Sequence, residues 1–170
     1  MSLLALQNVS KSFGERVLFE NVSFNIENNT KMGFIGANGV GKTTLKQALR
    51  GEDIRYVKTQ YIDYGDWLID SPGEYAEVHG LGAALAIYAY EADIVALLIS
   101  ADDDYSLFPP NITCMVNREV IGIVTKIDKA TPERAEAWLR LSGCEKIFPI
   151  NSHSGEGVTE LKAYLQKSRA

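Results

Sequence analysis

Apolar residues recur along this chain with three spacings, and each spacing predicts a different kind of element. Near the start, Leu4 and Leu6, and later Val22, Phe24 and Ile26, alternate with polar neighbours as half-buried strands do. Ser12-Phe-Gly-Glu-Arg16 supplies a turn between them, so residues 1–30 read as an antiparallel β-hairpin. From residue 31 the pattern changes. Lys31–Ile35, Asp93–Ile99, Glu119–Val124 and Lys146–Ile150 are short, nearly continuous apolar runs, as expected of strands covered on both faces. Thr59–Asp63 and Trp67–Asp70 read as two further strands around a Tyr64-Gly65-Asp66 turn.

Helical spacing separates these runs. Lys42–Leu49 opens one helix. A second has clear punctuation: Thr131 can cap it, Pro132 suits its first position and Gly143 ends it. The last, from about Glu156 to Lys167, places Val158, Leu161 and Leu165 on one face. Gly80–Tyr90 carries no charge, which suits either a helix packed on the sheet or a partner surface. Strands alternating with helices predict an α/β fold with a mostly parallel sheet over residues 31–168, one compact unit behind the hairpin.

Composition narrows the setting. The chain has 170 residues and a net charge of −5, enough for one real core, with no basic stripe to favour nucleic acid as a partner. No run reaches the length of a membrane span, and the start lacks the basic and apolar regions of a signal peptide. Cys114 and Cys144 have no metal-type spacing and read as reduced, packed thiols, so a cytoplasmic protein is expected.

One motif carries specific chemistry. Gly36-Ala37-Asn38-Gly39-Val40-Gly41-Lys42-Thr43-Thr44 fills every fixed position of the GxxxxGK[ST] phosphate loop, between a strand and a helix. Its glycines permit backbone conformations that converge N–H groups on phosphate oxygens, and the helix N-terminus adds partial positive charge. Lys42 is expected to reach the β- and γ-phosphates and the Thr43 hydroxyl to ligate Mg²⁺. The fold expected is therefore a three-layer P-loop NTPase with an added N-terminal hairpin.

Downstream residues bear on which nucleotide is bound. Asp70-Ser-Pro-Gly73 closes a strand with an acid that can hold Mg²⁺ through water and a Gly73 amide that can sense the γ-phosphate. A plain strand-ending turn has the same look. Thr59 can complete the Mg²⁺ sphere, or be an ordinary loop threonine. Thr125-Lys126-Ile127-Asp128 follows a strand directly. A carboxylate there can accept two hydrogen bonds from guanine, and adenine has no matching donor pair. Lys126 can lay its stem along the base, and Thr125, which opens the motif, is a further candidate contact to it. Asn151-Ser152-His153 follows the last strand, where Ser152 can meet the base edge.

In this order and spacing, these motifs resemble the translation-factor class of P-loop GTPases. From about Leu45 to Leu165 the chain resembles the EutP/PduV family of ethanolamine and propanediol utilisation. Lys58-Thr-Gln60, Asp70-Ser-Pro-Gly-Glu-Tyr75, the acidic loop Ala101–Phe108, Gly122–Asp128 and Asn151-Ser152 carry the likeness. The resemblance implies cytosolic proteins associated with bacterial metabolic compartments, binding GTP or GDP. Residues 1–44 instead resemble the start of an ABC-type ATPase, in Leu6-Gln-Asn-Val-Ser-Lys-Ser-Phe-Gly14 and Val17-Leu-Phe-Glu-Asn-Val-Ser-Phe24. That likeness implies stacking of Phe13 on adenine, with ATP or ADP as the alternative ligand. The LSGGQ-type signature of that family is absent. A chimera joined at the phosphate loop is expected, with an engineered origin favoured.

Departures from the family pattern predict slow turnover. Glu74 follows Gly73 where many GTPases place a glutamine that orients water, and a carboxylate there is repelled by the γ-phosphate. Lys42, Gly73 and Glu74 are the candidate catalytic residues. His79 reads as a solvent-facing loop residue rather than a positioner of water. Exposed hairpin edges or the 80–90 segment are candidate surfaces for self-association.

Overall fold

A computed structural model describes residues 2–13, 16–27, 31–54, 63–65, 68–70 and 90–167. The chain divides into two units, one ending at Asn29 and the other beginning at Thr30. In the first, β1 (Ser2–Phe13) and β2 (Arg16–Glu27) pair antiparallel. The apolar alternation sets the register, with Leu4 opposite Ile26, Leu6 opposite Phe24 and Val9 opposite Val22. Pairing continues as far as Phe13 opposite Arg16, so both residues belong to the strands rather than to the turn expected over residues 12–16. Several one-residue register shifts along the ladder, one of them between Leu6 and Val9, break the simple period of two.

The second unit is built on β3 (Met32–Ile35), β4 (Asp63–Gly65), β5 (Leu68–Asp70), β6 (Ile94–Ser100), β7 (Glu119–Thr125) and β8 (Ile147–Pro149). Their order is β4-β5-β3-β6-β7-β8, parallel throughout except for β4 at the edge. Gly65 pairs with Leu68 and Tyr64 with Ile69, so both residues belong to the antiparallel ladder. The expected Tyr64-Gly65-Asp66 turn is corrected accordingly: glycine reads as a breaker, but here Tyr64 and Gly65 are strand residues.

Among the described residues three α-helices pack on this sheet: α1 (Lys42–Arg50), α2 (Glu133–Leu141) and α3 (Val158–Lys167). β6 shows why its run is apolar throughout. Val95, Leu97 and Ile99 join Ala135 and Leu139 of α2 in one buried layer, and Ile94, Ala96 and Leu98 join Leu45, Leu49, Leu161 and Leu165 of α1 and α3 in the other. Helices thus cover both faces, giving three layers. Val158, Leu161 and Leu165 are buried as their spacing requires. α2 begins one residue later than expected. Pro132 occupies the N-cap, no side chain caps the helix, and the Thr131 hydroxyl bonds the Glu133 carboxylate instead.

At the amino-terminal ends of β7 and β8, Lys146 Nζ lies 2.7 Å from Glu119 Oε1 and donates to the Tyr164 hydroxyl at 2.9 Å. Tyr164 in turn donates to Glu119. This three-membered latch joins two strands and α3 on the side of the sheet away from the phosphate loop.

Candidate functional site

The site grows from the carboxyl ends of β3, β6, β7 and β8, where open parallel sheets leave room for ligands. β3 stops at Ile35, the loop runs over residues 36–41, and α1 starts at Lys42. Gly36 passes hard against β6. A Cβ there would come 2.7 Å from the Leu98 carbonyl oxygen. Gly41 holds the N-cap of α1 in the left-handed region, φ 96°, which favours glycine. Lys42 is only 7% exposed. Its Nζ donates to the carbonyls of Gly36 at 2.7 Å and Ala37 at 2.9 Å, so the ammonium is held within the loop that carries the convergent amides. Loop and cation fit a polyphosphate: the backbone curves, the helix N-terminus faces the loop, and the lysine is already placed.

β7 delivers the second component. The Thr125 hydroxyl donates to the Val40 carbonyl at 2.5 Å, and the Thr125 carbonyl accepts from Ala101 N at 2.9 Å. Thr125 is buried, at 2% exposure. Its hydroxyl therefore ties β7 to the phosphate loop, a role that sequence alone assigned to base contact. Lys126 follows in the left-handed region, φ 56°. Its Nζ lies 3.5 Å from Asp102 Oδ1. Asp102 also accepts from the Ser100 hydroxyl; that bond first, and the nearby cations Lys126 and Lys129 second, hold its carboxyl below the usual carboxylate range.

β8 leads into the third component. Ile150 N donates to Val124 O at 2.7 Å, and Asn151 Oδ1 accepts from the amides of His153 and Ser154 at 3.0 and 3.2 Å. This turn fixes Ser152 beside the Lys126–Asp128 loop. Between the components lies a cavity of about 290 Å³, bordered by Gly39 and Gly41 at the phosphate loop and by Thr125, Lys126, Asp128 and Ser152 beyond it. Thr44, Lys129 and His153 also line it. Of these, Lys129 was missed by the sequence reading, and Thr44 was read as a phosphate contact.

Other expected residues fare differently. Asp70 stands at the end of β5, in register with Phe34 of β3, and so at the strand-end level from which the phosphate loop departs. Its side chain, like that of Phe13, lies outside the description. Thr59, Gly73, Glu74 and His79, and most of the 80–90 segment, lie outside the described residues. Among the described residues no three His, Cys, Asp or Glu gather as a metal set. A Mg²⁺ ion bound through one hydroxyl, a carboxylate and phosphate oxygens needs no such cluster. No helix among them is long and apolar enough to cross a membrane.

Comparisons with known proteins agree with this arrangement. A family model described as "Ethanolamine utilisation - propanediol utilisation" matches residues 29–167. The propanediol utilization protein PduV of Citrobacter freundii is 45% identical over 134 residues, covering 77% of this chain and 89% of that protein. A protein described as "Probable acetate kinase EutP", from Salmonella typhimurium, is 34% identical over 144 residues, covering 79% and 88%. Among solved structures, the G domain of the FeoB iron transporter of T. maritima superposes with a TM-score of 0.55 at 27% identity, covering 82% of this chain and 98% of that one. A stretch of 51 residues is 45% identical to the ABC transporter ATP-binding protein YfmR of Bacillus subtilis, but spans 30% of this chain and 8% of that protein. The fold is that of the P-loop GTPases, and the chain belongs to the PduV–EutP family of ethanolamine and propanediol utilisation proteins.

Proposed function

We propose that the protein binds a guanine nucleoside di- or triphosphate together with Mg²⁺ and hydrolyses the triphosphate slowly. One observation carries this reading: Gly39 and Gly41 of the phosphate loop and Asp128 border a single cavity. The loop from Gly36 to Thr44 and Lys42 take the phosphates. Thr43, Asp70 and Thr59 serve the Mg²⁺ ion. Asp128 accepts from guanine, Lys126 lies along the base, and Ser152 meets its edge. Gly73 and Glu74 attend the γ-phosphate, where Lys42 and the loop amides stabilise charge as water attacks. Glu74 in place of a glutamine makes that step slow. Multiple-turnover phosphate release from GTP, measured beside ATP, tests the assignment. Release from neither, with tight GDP binding, would leave a nucleotide switch without turnover.

A second reading is favoured by the description of the EutP relatives as probable acetate kinases. In it the γ-phosphoryl group passes to a small carboxylate, and the nucleotide is ATP instead of GTP. Acetyl phosphate formation from acetate and either triphosphate separates the two.

The setting follows the family: a cytoplasmic protein that meets bacterial microcompartment proteins. We read the chain as a chimera joined at the phosphate loop and of engineered origin. Support comes from the 51-residue ABC-type match, which overlaps the family match over residues 29–167. Both ancestors run strand, loop and helix through the same geometry, so either one's loop serves the site.

A further inference from the structure

We propose that Asp102, which does not line the base cavity, is a positioning residue for the nucleotide: it holds the Lys126 side chain as a cavity wall and keeps that cation away from Asp128. The inference rests on the nucleotide reading above. Lys126 and Asp128 stand two residues apart in one turn, closed by Lys129 N donating to Lys126 O at 2.9 Å, and both line the cavity. A flexible ammonium beside a carboxylate forms an ion pair unless another anion engages it. Paired with Asp128, it would occupy the acceptor oxygens that guanine requires.

Asp102 is that other anion. Its Oδ1 faces Lys126 Nζ at 3.5 Å. The carboxylate is itself anchored, because Ser100, fully buried at the end of β6, donates its hydroxyl to it. The turn beneath is braced twice more, by Ser100 N donating to Asp103 Oδ2 at 2.9 Å and by Asp103 N donating to Ser100 O at 3.1 Å. Ala101 N then bonds Thr125 O, which fixes the spacing between the carboxylate and the lysine that follows Thr125. The Lys126 backbone sits at φ 56°, a conformation rare for a side chain of this length and one that persists where surroundings over-determine it. Asp102 reaches the cavity through Lys126, the cation it pairs with, so its effect belongs to the base and not to the phosphates.

The test compares GDP, ADP and pyrophosphate binding by calorimetry in the presence of Mg²⁺. The proteins are the unaltered chain, Asp102→Asn, Lys126→Met and the double variant. Asp102→Asn is expected to weaken GDP about three- to fivefold, the scale of a partly exposed ion pair. Pyrophosphate should bind it unchanged, and the substitution should add nothing once Lys126 is methionine. Ser100→Ala, which frees the same carboxylate, should shift GDP in the same direction by less. Equal losses for GDP and pyrophosphate, or full additivity in the double variant, would overturn the proposal. If the unaltered chain bound GDP and ADP no more tightly than pyrophosphate, both the nucleotide reading and this one would fall. If ADP matched GDP while the non-additivity held, the guanine assignment and the shielding of Asp128 would fail, and Lys126 held as a cavity wall by Asp102 would stand.

Discussion

Thr125 donates its hydroxyl to the backbone carbonyl of Val40, 2.5 Å away and 85 residues earlier in the chain. This bond couples the loop that cradles phosphates to the strand end that presents Asp128. Thr125→Val keeps the shape and leaves the Val40 carbonyl without that donor, at a cost of about 1–3 kcal/mol. The expected outcome is a lower Tm together with weaker binding of GDP and pyrophosphate alike. Thr125→Ser should restore most of both, which calorimetry and thermal melts can read side by side.

Asp128→Asn replaces an acceptor pair with one acceptor and one donor. GTP affinity should fall at least tenfold, the equivalent of losing about 1.4 kcal/mol of paired hydrogen bonding. Xanthosine triphosphate, which presents the complementary pattern, should gain. Competition titrations with a fluorescent GTP analogue measure both, and an unaltered preference would remove Asp128 from the base edge.

Gly36→Ala places a Cβ 2.7 Å from the Leu98 carbonyl oxygen, a backbone atom that cannot step aside. Relief requires the loop and β6 to separate, which costs about 1–3 kcal/mol. Pyrophosphate binding should fall with stability in this variant. Lys42→Met should behave otherwise, losing triphosphate binding through the missing ammonium while its aliphatic packing is kept.

The Glu119–Lys146–Tyr164 latch predicts a pH signature. Lys146 first and Tyr164 second hold the Glu119 carboxyl below its ordinary value of 4.5. A depressed acid stabilises the fold above its unfolded pKa and loses that contribution as pH falls through the folded one. Tyr164→Phe should therefore lower Tm slightly at pH 7, by a few degrees at most for so exposed a pair. The difference from the unaltered chain should shrink as pH drops below 4.5, and melts across that range will show whether it does.

The two cysteines should separate by reactivity. Burial pushes the Cys144 thiol up to about 12, whereas Cys114 is exposed. A thiol reagent at pH 8 should modify one residue quickly and the second only after denaturation, as mass spectrometry of the labelled chain can show. Fast labelling at both would contradict the packing of Cys144 behind α2.

Much of this was readable from residues because the relevant physics is local. A phosphate loop is a backbone shape, and glycines at fixed positions encode it without help from distant contacts. The apolar runs told which strands are central, since only strands sandwiched between helices are apolar on both sides. The sequence also predicted that Asp128 and Ser152, on different strand ends, approach the loop, because in this topology those ends point the same way. What escaped it was pairing across the fold. Thr125 looked like a base contact, and nothing in its neighbours announced that its hydroxyl meets Val40. Asp102 lay in an acidic loop whose charges look alike until the Ser100 hydroxyl selects one. Gly65 read as a turn residue until its partner Leu68 placed it in a strand.

The most direct test of the central claim is the affinity of the purified chain for GDP against ADP, by calorimetry with Mg²⁺ present. The guanine reading predicts GDP binding at least tenfold tighter, a gap of about 1.4 kcal/mol from the donors that only guanine offers to Asp128. Equal affinities, or tighter ADP, would contradict it and leave the phosphate loop serving an adenine nucleotide.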